Sequence, residues 1–278
     1  MADQFELFHL SLLARAQKDW IEFDPDKTSR EDWLRKVFNE EQRFDHYGTA
    51  FHYVYANKNA DDGSIIGRVG RHVIREENKP PSEGLEDFSH ETWLAAMLVI
   101  DPTSHEDGQK LAIQNVTAVG TPKSLIKSLI AAINQRYSRG PYVIAAAQII
   151  EEQTFWQFVE NNKGHVTDMT LELIAPNMFG SEDEFSKDMQ DYRDNEKAAK
   201  IKMTFSNHDG MEPDTPKMRR AVHYATKGGG KISAKAKGKK RYNSDDAVKR
   251  SYLNDIKESG AELIEAAKKL TNRILGRE

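Results

Sequence analysis

Residues 121–150 read TPKSLIKSLIAAINQRYSRGPYVIAAAQII. Thr121 and Pro122 make a helix start: Thr suits the N-cap, and the fixed φ of Pro suits the first helical position, where no N–H is needed. Ile126, Leu129, Ile130, Ile133 and Tyr137 then follow at helical spacing and form one buried stripe. Residues 142–150 read as an apolar strand. A helix leading into such a strand implies a sheet with helices packed against it.

The pattern continues towards the C-terminus. Phe155, Trp156 and Val159 fit a short helix, and Met169, Leu171 and Leu173 alternate in a strand that stops at Pro176. Ser181 and Glu184 form a capping box ahead of Phe185, Met189 and Tyr192 at helical spacing. Ile201, Met203 and Phe205 alternate again, and Thr215 with Pro216 opens another helix. Towards the N-terminus, Phe8, Leu10 and Leu12 mark a first strand, and Ser29 with Asp32 caps a helix through Trp33, Leu34, Val37 and Phe38. Residues 49–55 read as a strand, Asp61, Asp62 and Gly63 as a turn, and Ile65 with Ile66 as a short strand. Residues 76–91, acidic and carrying Pro80 and Pro81, are expected to be a long loop. A buried strand at 93–100 stops at Asp101 and Pro102 and has its hairpin partner at 111–119. The four tryptophans, Trp20, Trp33, Trp93 and Trp156, are expected to anchor the core.

The fold class is therefore α/β or α+β, a mixed β-sheet covered by helices, with two ferredoxin-like halves as an open alternative. Four segments are expected: a mainly β-containing half (1–120), an alternating α/β half (121–226), a basic Gly/Lys segment (227–250) and a C-terminal helix (251–278). In that last segment Ser259 and Glu262 form a capping box, and Leu263, Ala267, Leu270 and Ile274 make an apolar stripe. The helix over 259–276 either packs on its own domain or docks on a protein partner or second copy.

The chain carries 40 Lys and Arg against 44 Asp and Glu, a formal charge of −4. Its charge is unevenly placed. Residues 217–250 hold twelve Lys and Arg and two Asp, a local excess of ten positive charges on an acidic body, which points to a polyanionic partner. The absence of cysteine excludes disulfides, thiolate nucleophiles and Cys-ligated metal, and fits a reducing cytoplasm. The uncharged run at 140–150 is far short of the roughly 20 residues a membrane helix needs, so no membrane is expected. The first residues include Asp3 and Glu6 and lack the cationic start of a secretory signal.

The basic segment reads KGGGKISAKAKGKKRYNSDD over 227–246. Ile232, Ala234 and Ala236 alternate with Ser233, Lys235 and Lys237, so strand geometry sends Lys235 and Lys237 to one face. Gly238 suits a turn, and Lys239, Lys240 and Arg241 follow. With Lys227, Lys231 and Tyr242, whose ring could stack on a base, these residues form a candidate nucleic-acid site. The competing reading is a mobile, solvated Lys-rich segment or a charged edge strand. GRVGR at 67–71 adds Arg68 and Arg71 as a candidate phosphate clamp, against the plainer reading of surface arginines in a turn.

Reactive constellations are weaker. His105, Glu106 and Asp107 resemble a metal-ligand group, but turn preference explains them as well. His90 with Glu91, and His46 with His52 and Tyr53, are acid–base candidates that ordinary strand packing explains better. No phosphate loop, dinucleotide fingerprint, nucleophile elbow or His-Glu-x-x-His motif occurs, so no catalytic residue, metal or cofactor is assigned.

Four segments, FHLSLLA (8–14), GRVGR (67–71), LELIAPN (171–177) and the Lys/Gly segment, resemble an uncharacterised bacterial family found among phage-defence and mobile-element genes. That resemblance implies antiviral defence or a toxin-like module and supplies no catalytic residue. A second similarity, carried by Gly228–Gly230 and Gly238, is to ferredoxin-like RNA-binding subunits of CRISPR systems, though the full glycine pattern is not present. The expectation is a nucleic-acid-binding protein of DNA or RNA in bacterial antiviral defence. The alternatives are a non-catalytic assembly subunit and a metal-dependent nuclease with dispersed acidic ligands.

Overall fold

The computed structural model describes residues 3–15, 28–56, 63–105, 108–174, 184–196, 198, 200–253 and 272–273. The chain runs β1 (Asp3–Ala14), α1 (Arg30–Phe38), β2 (Gln42–His46), β3 (Thr49–Tyr55), β4 (Ile65–Asn78), β5 (Asp87–Asp101), β6 (Gln109–Gln114) and α2 (Pro122–Arg136). It continues with β7 (Tyr142–Gln148), α3 (Glu152–Asn161), β8 (Val166–Ile174), α4 (Glu184–Asp194), β9 (Lys200–Met211), α5 (Pro216–Tyr224), β10 (Gly230–Ala236), β11 (Lys240–Asn243) and β12 (Arg250–Leu253). The protein is α+β. Among the described residues the strands form two sheets, of eight and four strands, and every strand pairing is antiparallel.

The larger sheet runs β12-β1-β6-β5-β4-β3-β2, with β7 also on β1. Its organising strand is β1, which pairs with β6 along one edge. Along the other edge it pairs with β12 through residues 3–6 and with β7 through residues 8–14. Thus this sheet takes β7 from beyond residue 120 and β12 from beyond residue 250. α1 and α2 cover it. The Ser29 hydroxyl accepts the Asp32 N–H at the start of α1, and Trp33, Leu34, Val37 and Phe38 turn inward. They join Leu125, Ile126, Leu129 and Ile133 of α2 and the inner residues of β1, β3, β5 and β6 in one core. Full burial of each such side chain contributes about 1.5–3 kcal/mol.

The smaller sheet runs β11-β10-β8-β9. Met169, Leu171 and Leu173 of β8 and Ile232 and Ala234 of β10 pack with Phe155, Val159, Phe185, Met189 and Val222, which come from α3, α4 and α5. The described helices therefore lie on one face of this sheet, and none of them covers the other.

Several expectations are corrected. The acidic stretch 76–91 is not one long loop: its two ends are strand, since β4 and β5 keep register from Ile65↔Ile100 out to Asn78↔Asp87, and a short connection with a 3-10 turn at Pro81–Glu83 closes them. Cross-strand hydrogen bonding holds this arm although both its faces meet solvent. GRVGR is not a flexed turn but the middle of β4, paired with β3 and β5. Of the tryptophans, Trp33 is fully buried but Trp93 is 59% exposed, because β5 turns it outward opposite His72; Trp20 lies outside the described residues. The Lys/Gly segment is not a loose loop, since β10 is an inner strand paired on both edges. Its Ile232 and Ala234 pack into the helical layer's core and Ala236 is buried as well, which gives the segment an anchor. The stripe of the expected C-terminal helix lies outside the described residues, as do Glu106, Asp107, Pro176 and Ser181.

The two sheets are joined at a tight junction. Ile149 N–H donates to Leu7 C=O, Ile150 N–H to Thr226 C=O, Glu151 N–H to Ala247 C=O, and Lys249 N–H to Ile149 C=O. At Gly228 (φ +96°) a Cβ would stand 2.5 Å from the His9 Cβ, so only glycine fits both the conformation and the space.

Candidate nucleic-acid interface

The open face of the smaller sheet is built by strand parity. β10 alternates buried and exposed residues without exception, so Lys231, Ser233 and Lys235 stand on the open side. Register places three rows across the sheet. The first is Arg241, Lys235, Asp168 and Ser206; the second is Asn243, Ser233, Thr170 and Thr204; the third is Lys231, Glu172 and Lys202. Ser206 Oγ donates to Asp168 (3.2 Å), the Thr170 and Thr204 hydroxyls lie 3.4 Å apart, and Lys200 reaches Glu172 at 2.6 Å. The result is a polar surface with hydroxyl and amide groups in the middle row and, in the two outer rows, four cations with two carboxylates, Asp168 and Glu172. Lys235 and Arg241 form no ion pair with any described residue. Opposed directly across the ladder, their like charges repel, and an anion lying over the sheet would relieve that repulsion.

The third row runs into a cleft against the larger sheet. α2, β7 and the starts of β9 and β10 enclose about 460 Å3. At its mouth Asp245 takes Lys123 of α2 at 2.8 Å and Lys231 of β10 at 3.1 Å, tying the two sheets together. Burial pushes the Asp245 carboxyl up, but the two lysines win and hold it below the usual carboxylate range. The Lys200 hydrogen bond holds Glu172 down in the same way.

Not every candidate residue joins this surface. Lys231, Lys235 and Arg241 do. Lys237 is exposed beside them and donates to the Asp209 carbonyl (3.1 Å). Lys239 sits at the turn in a left-handed conformation (φ +63°). Lys240 lies opposite Ala236, on the other side of the sheet from Arg241. Tyr242 also faces that side: its hydroxyl lies 3.1 Å from Thr154 Oγ1, and its ring packs edge-on to Phe155. The ring belongs to the core and is not a stacking platform. Lys227 is exposed at the junction. Arg68 and Arg71, three residues apart on a strand, point to opposite faces of β4, and Arg71 donates to the Ala118 carbonyl (2.7 Å). They do not form a joint clamp.

The weaker constellations also separate. His46 Nδ1 is 2.9 Å from Ser128 Oγ, and burial lowers its pKa. His52 packs on Trp93, and Tyr53 donates to the Phe38 carbonyl (2.7 Å). Glu91 pairs with His72 (3.4 Å) rather than His90, which stacks on Phe88. His105 pairs with Asp101 at 2.8 Å. Among the described residues no three His, Asp or Glu side chains converge as metal ligands. The same residues contain no helix long and apolar enough to cross a membrane.

Sequence reading missed the cleft lysines, Lys123, Lys127 and Lys200, because they come from elements far apart in the chain. The spacing of Lys123 and Lys127, four apart on the helix predicted to start at Pro122, is the only signal that could have paired two of them. Comparisons with protein-family models, curated proteins and solved structures return no significant match.

Proposed function

We propose that this protein binds nucleic acid through the open face of its four-stranded sheet. The observation that carries the reading is the unpaired Lys235–Arg241 row beside a row of Ser, Thr and Asn, on a face that no described helix covers. Cations at this spacing suit phosphates, and short hydroxyl and amide side chains suit sugar and base edges without dictating sequence. No aromatic side chain belongs to the three rows, so affinity would come mainly from phosphate contact and be strongly salt-dependent. A role in bacterial antiviral defence is a further part of the proposal and rests on the resemblance of residues 8–14, 67–71, 171–177 and the Lys/Gly segment.

The test is fluorescence anisotropy with labelled single- and double-stranded DNA and RNA of mixed sequence, titrated with salt. Binding whose affinity falls linearly on a log–log salt plot supports the reading. Absence of binding at low salt to all four refutes it.

A further inference from the structure

The cleft between α2 and the smaller sheet has a volume, about 460 Å3, within the roughly 300–1,000 Å3 of small-molecule sites. Phe8, Ile126, Ile130 and the alanines 145–147 give it apolar walls. Lys123, Lys127, Lys200 and Lys231 line it against two carboxylates, Glu172 and Asp245, so four ammonium groups outnumber the acids by two. Lys127 has no ion-pair partner among the described residues. The site therefore combines an apolar interior with a surplus of positive charge, which suits an anion carrying an apolar, planar body.

β7 adds a recognition element. Among the described residues it pairs with β1 alone, so no described strand takes its second edge. Ile149 N–H donates to Leu7 of β1, which sets odd-numbered residues towards that strand. The even-numbered ones face away: Ile144 exchanges both backbone bonds with the Asn134 side chain (2.7 and 2.8 Å), and Ile150 N–H goes to Thr226. Ala146 lies between them and lines the cleft. By strand alternation its N–H and C=O point into the cavity as a donor–acceptor pair. The three alanines carry no side chain beyond Cβ, so a flat ring can approach that edge closely.

We infer that this cleft binds a nucleoside phosphate. The base edge pairs with Ala146 N–H and C=O, the ring lies between the apolar walls, and the phosphate meets Lys123, Lys127 and Lys231. Each common nucleobase presents an adjacent donor and acceptor, so the backbone pair is a general reader of bases. The ligand is either a free nucleotide or one nucleotide of a bound strand; the strand source rests on the reading of the open sheet face given above.

Calorimetry with AMP, GMP, CMP, UMP and inorganic phosphate, and anisotropy with a labelled oligonucleotide, test this on the full chain and two variants. Ala146→Pro deletes the N–H aimed into the cleft and leaves the β1 ladder alone. Lys127→Gln removes the unpaired ammonium and keeps a polar, hydrogen-bonding side chain one atom shorter. The expected result is nucleotide binding that Ala146→Pro weakens by roughly tenfold and Lys127→Gln by roughly threefold or more, with phosphate alone weaker than either nucleotide class. If mononucleotides fail but oligonucleotide binding falls to the same extent in the variants, the source is a strand and the site stands. Should Ala146→Pro not fold, as judged by its thermal melt, Lys127→Gln decides. Absence of mononucleotide binding, together with strand binding that is absent or indifferent to the variants, overturns the proposal. Strand binding that is retained and indifferent would still leave the open-face reading intact.

Discussion

Replacing Lys202, Lys235 and Arg241 by Ala strips three cations from the open face and leaves the core of the smaller sheet untouched. All three are exposed, none is hydrogen-bonded to another strand's side chain within 3.5 Å, and Lys202 is only loosely paired to Glu172 at 3.9 Å. Stability should therefore change by no more than about 0.5 kcal/mol per site. Each phosphate contact on a single strand contributes roughly 0.7 to the slope of log K against log salt, so three lost contacts make the slope shallower by about 2. Between about 50 and 200 mM salt, a factor of four, the deficit of the variant should then shrink roughly 20-fold. The control is Lys217→Ala with Lys240→Ala. Lys217 lies on α5 in the helical layer, and Lys240 lies opposite Ala236, so both are away from the open face. At about 0.1 M salt the Debye length is roughly 10 Å, which keeps distant charges out of the measurement. Anisotropy over a salt series on wild type and both variants gives the three slopes. An unchanged slope in the triple variant, or an equal change in the control, refutes phosphate binding on this face.

Three further outcomes follow from the packing. Trp33→Ala should cost about 3–5 kcal/mol in urea denaturation and Trp93→Ala less than about 1, because one ring is fully buried and the other stands 59% exposed. Gly228→Ala should destabilise by about 2–4 kcal/mol, since it combines a left-handed φ with a Cβ 2.5 Å from His9 Cβ; a loss near zero would show that the junction is slack. His46 has a pKa below its ordinary 6.5 because burial disfavours the imidazolium, so the unfolded chain binds its proton more readily. Its contribution to stability is complete above pH 6.5 and is lost as pH falls through the folded-state value. Denaturation of His46→Gln across that range should lack this part of the wild-type decline.

Local structure was legible where burial leaves a one-sided imprint. α2, α5 and the alternation of β10 are readable because one stripe or parity is apolar and the other polar. The distal arm of β4 and β5 was not, since residues beyond Val73 meet solvent on both faces and period-two patterning has no cause there. Trp93 misled for a related reason: residues 93–100 are apolar on both parities, so nothing in the sequence says which parity faces out at the strand's start. Tyr242 was misread because the turn through Gly238 decides its face, and register opposite Ala234 sends it inward. Membership of two sheets is set by pairings such as Phe8↔Gln148 and Gly230↔Leu173, which join residues far apart in sequence. The same long-range contacts create the cleft, so its lysines could not be grouped from their positions in the chain.

The open face and the cleft are mechanically one unit. The chain passes between the sheets near residues 149–152, 226–230 and 244–250, and backbone hydrogen bonds link these passages to one another and to β1. Lys231 belongs to the open face by strand parity and to the cleft by position, and Asp245 ties it to Lys123 on the larger sheet. An anion that draws Lys231 away from Asp245 would leave that partly buried carboxylate with Lys123 alone. A phosphate held by Lys231 and Lys123 together would instead compete with Asp245 for both amines. In either case the ion pair that bridges the sheets answers to occupancy of the cleft, whereas Lys235 and Arg241, two register steps away, answer only to what lies on the open face. A strand that spans both would therefore bind more tightly than its open-face contacts alone predict, because the second contact is made at the high local concentration set by the first.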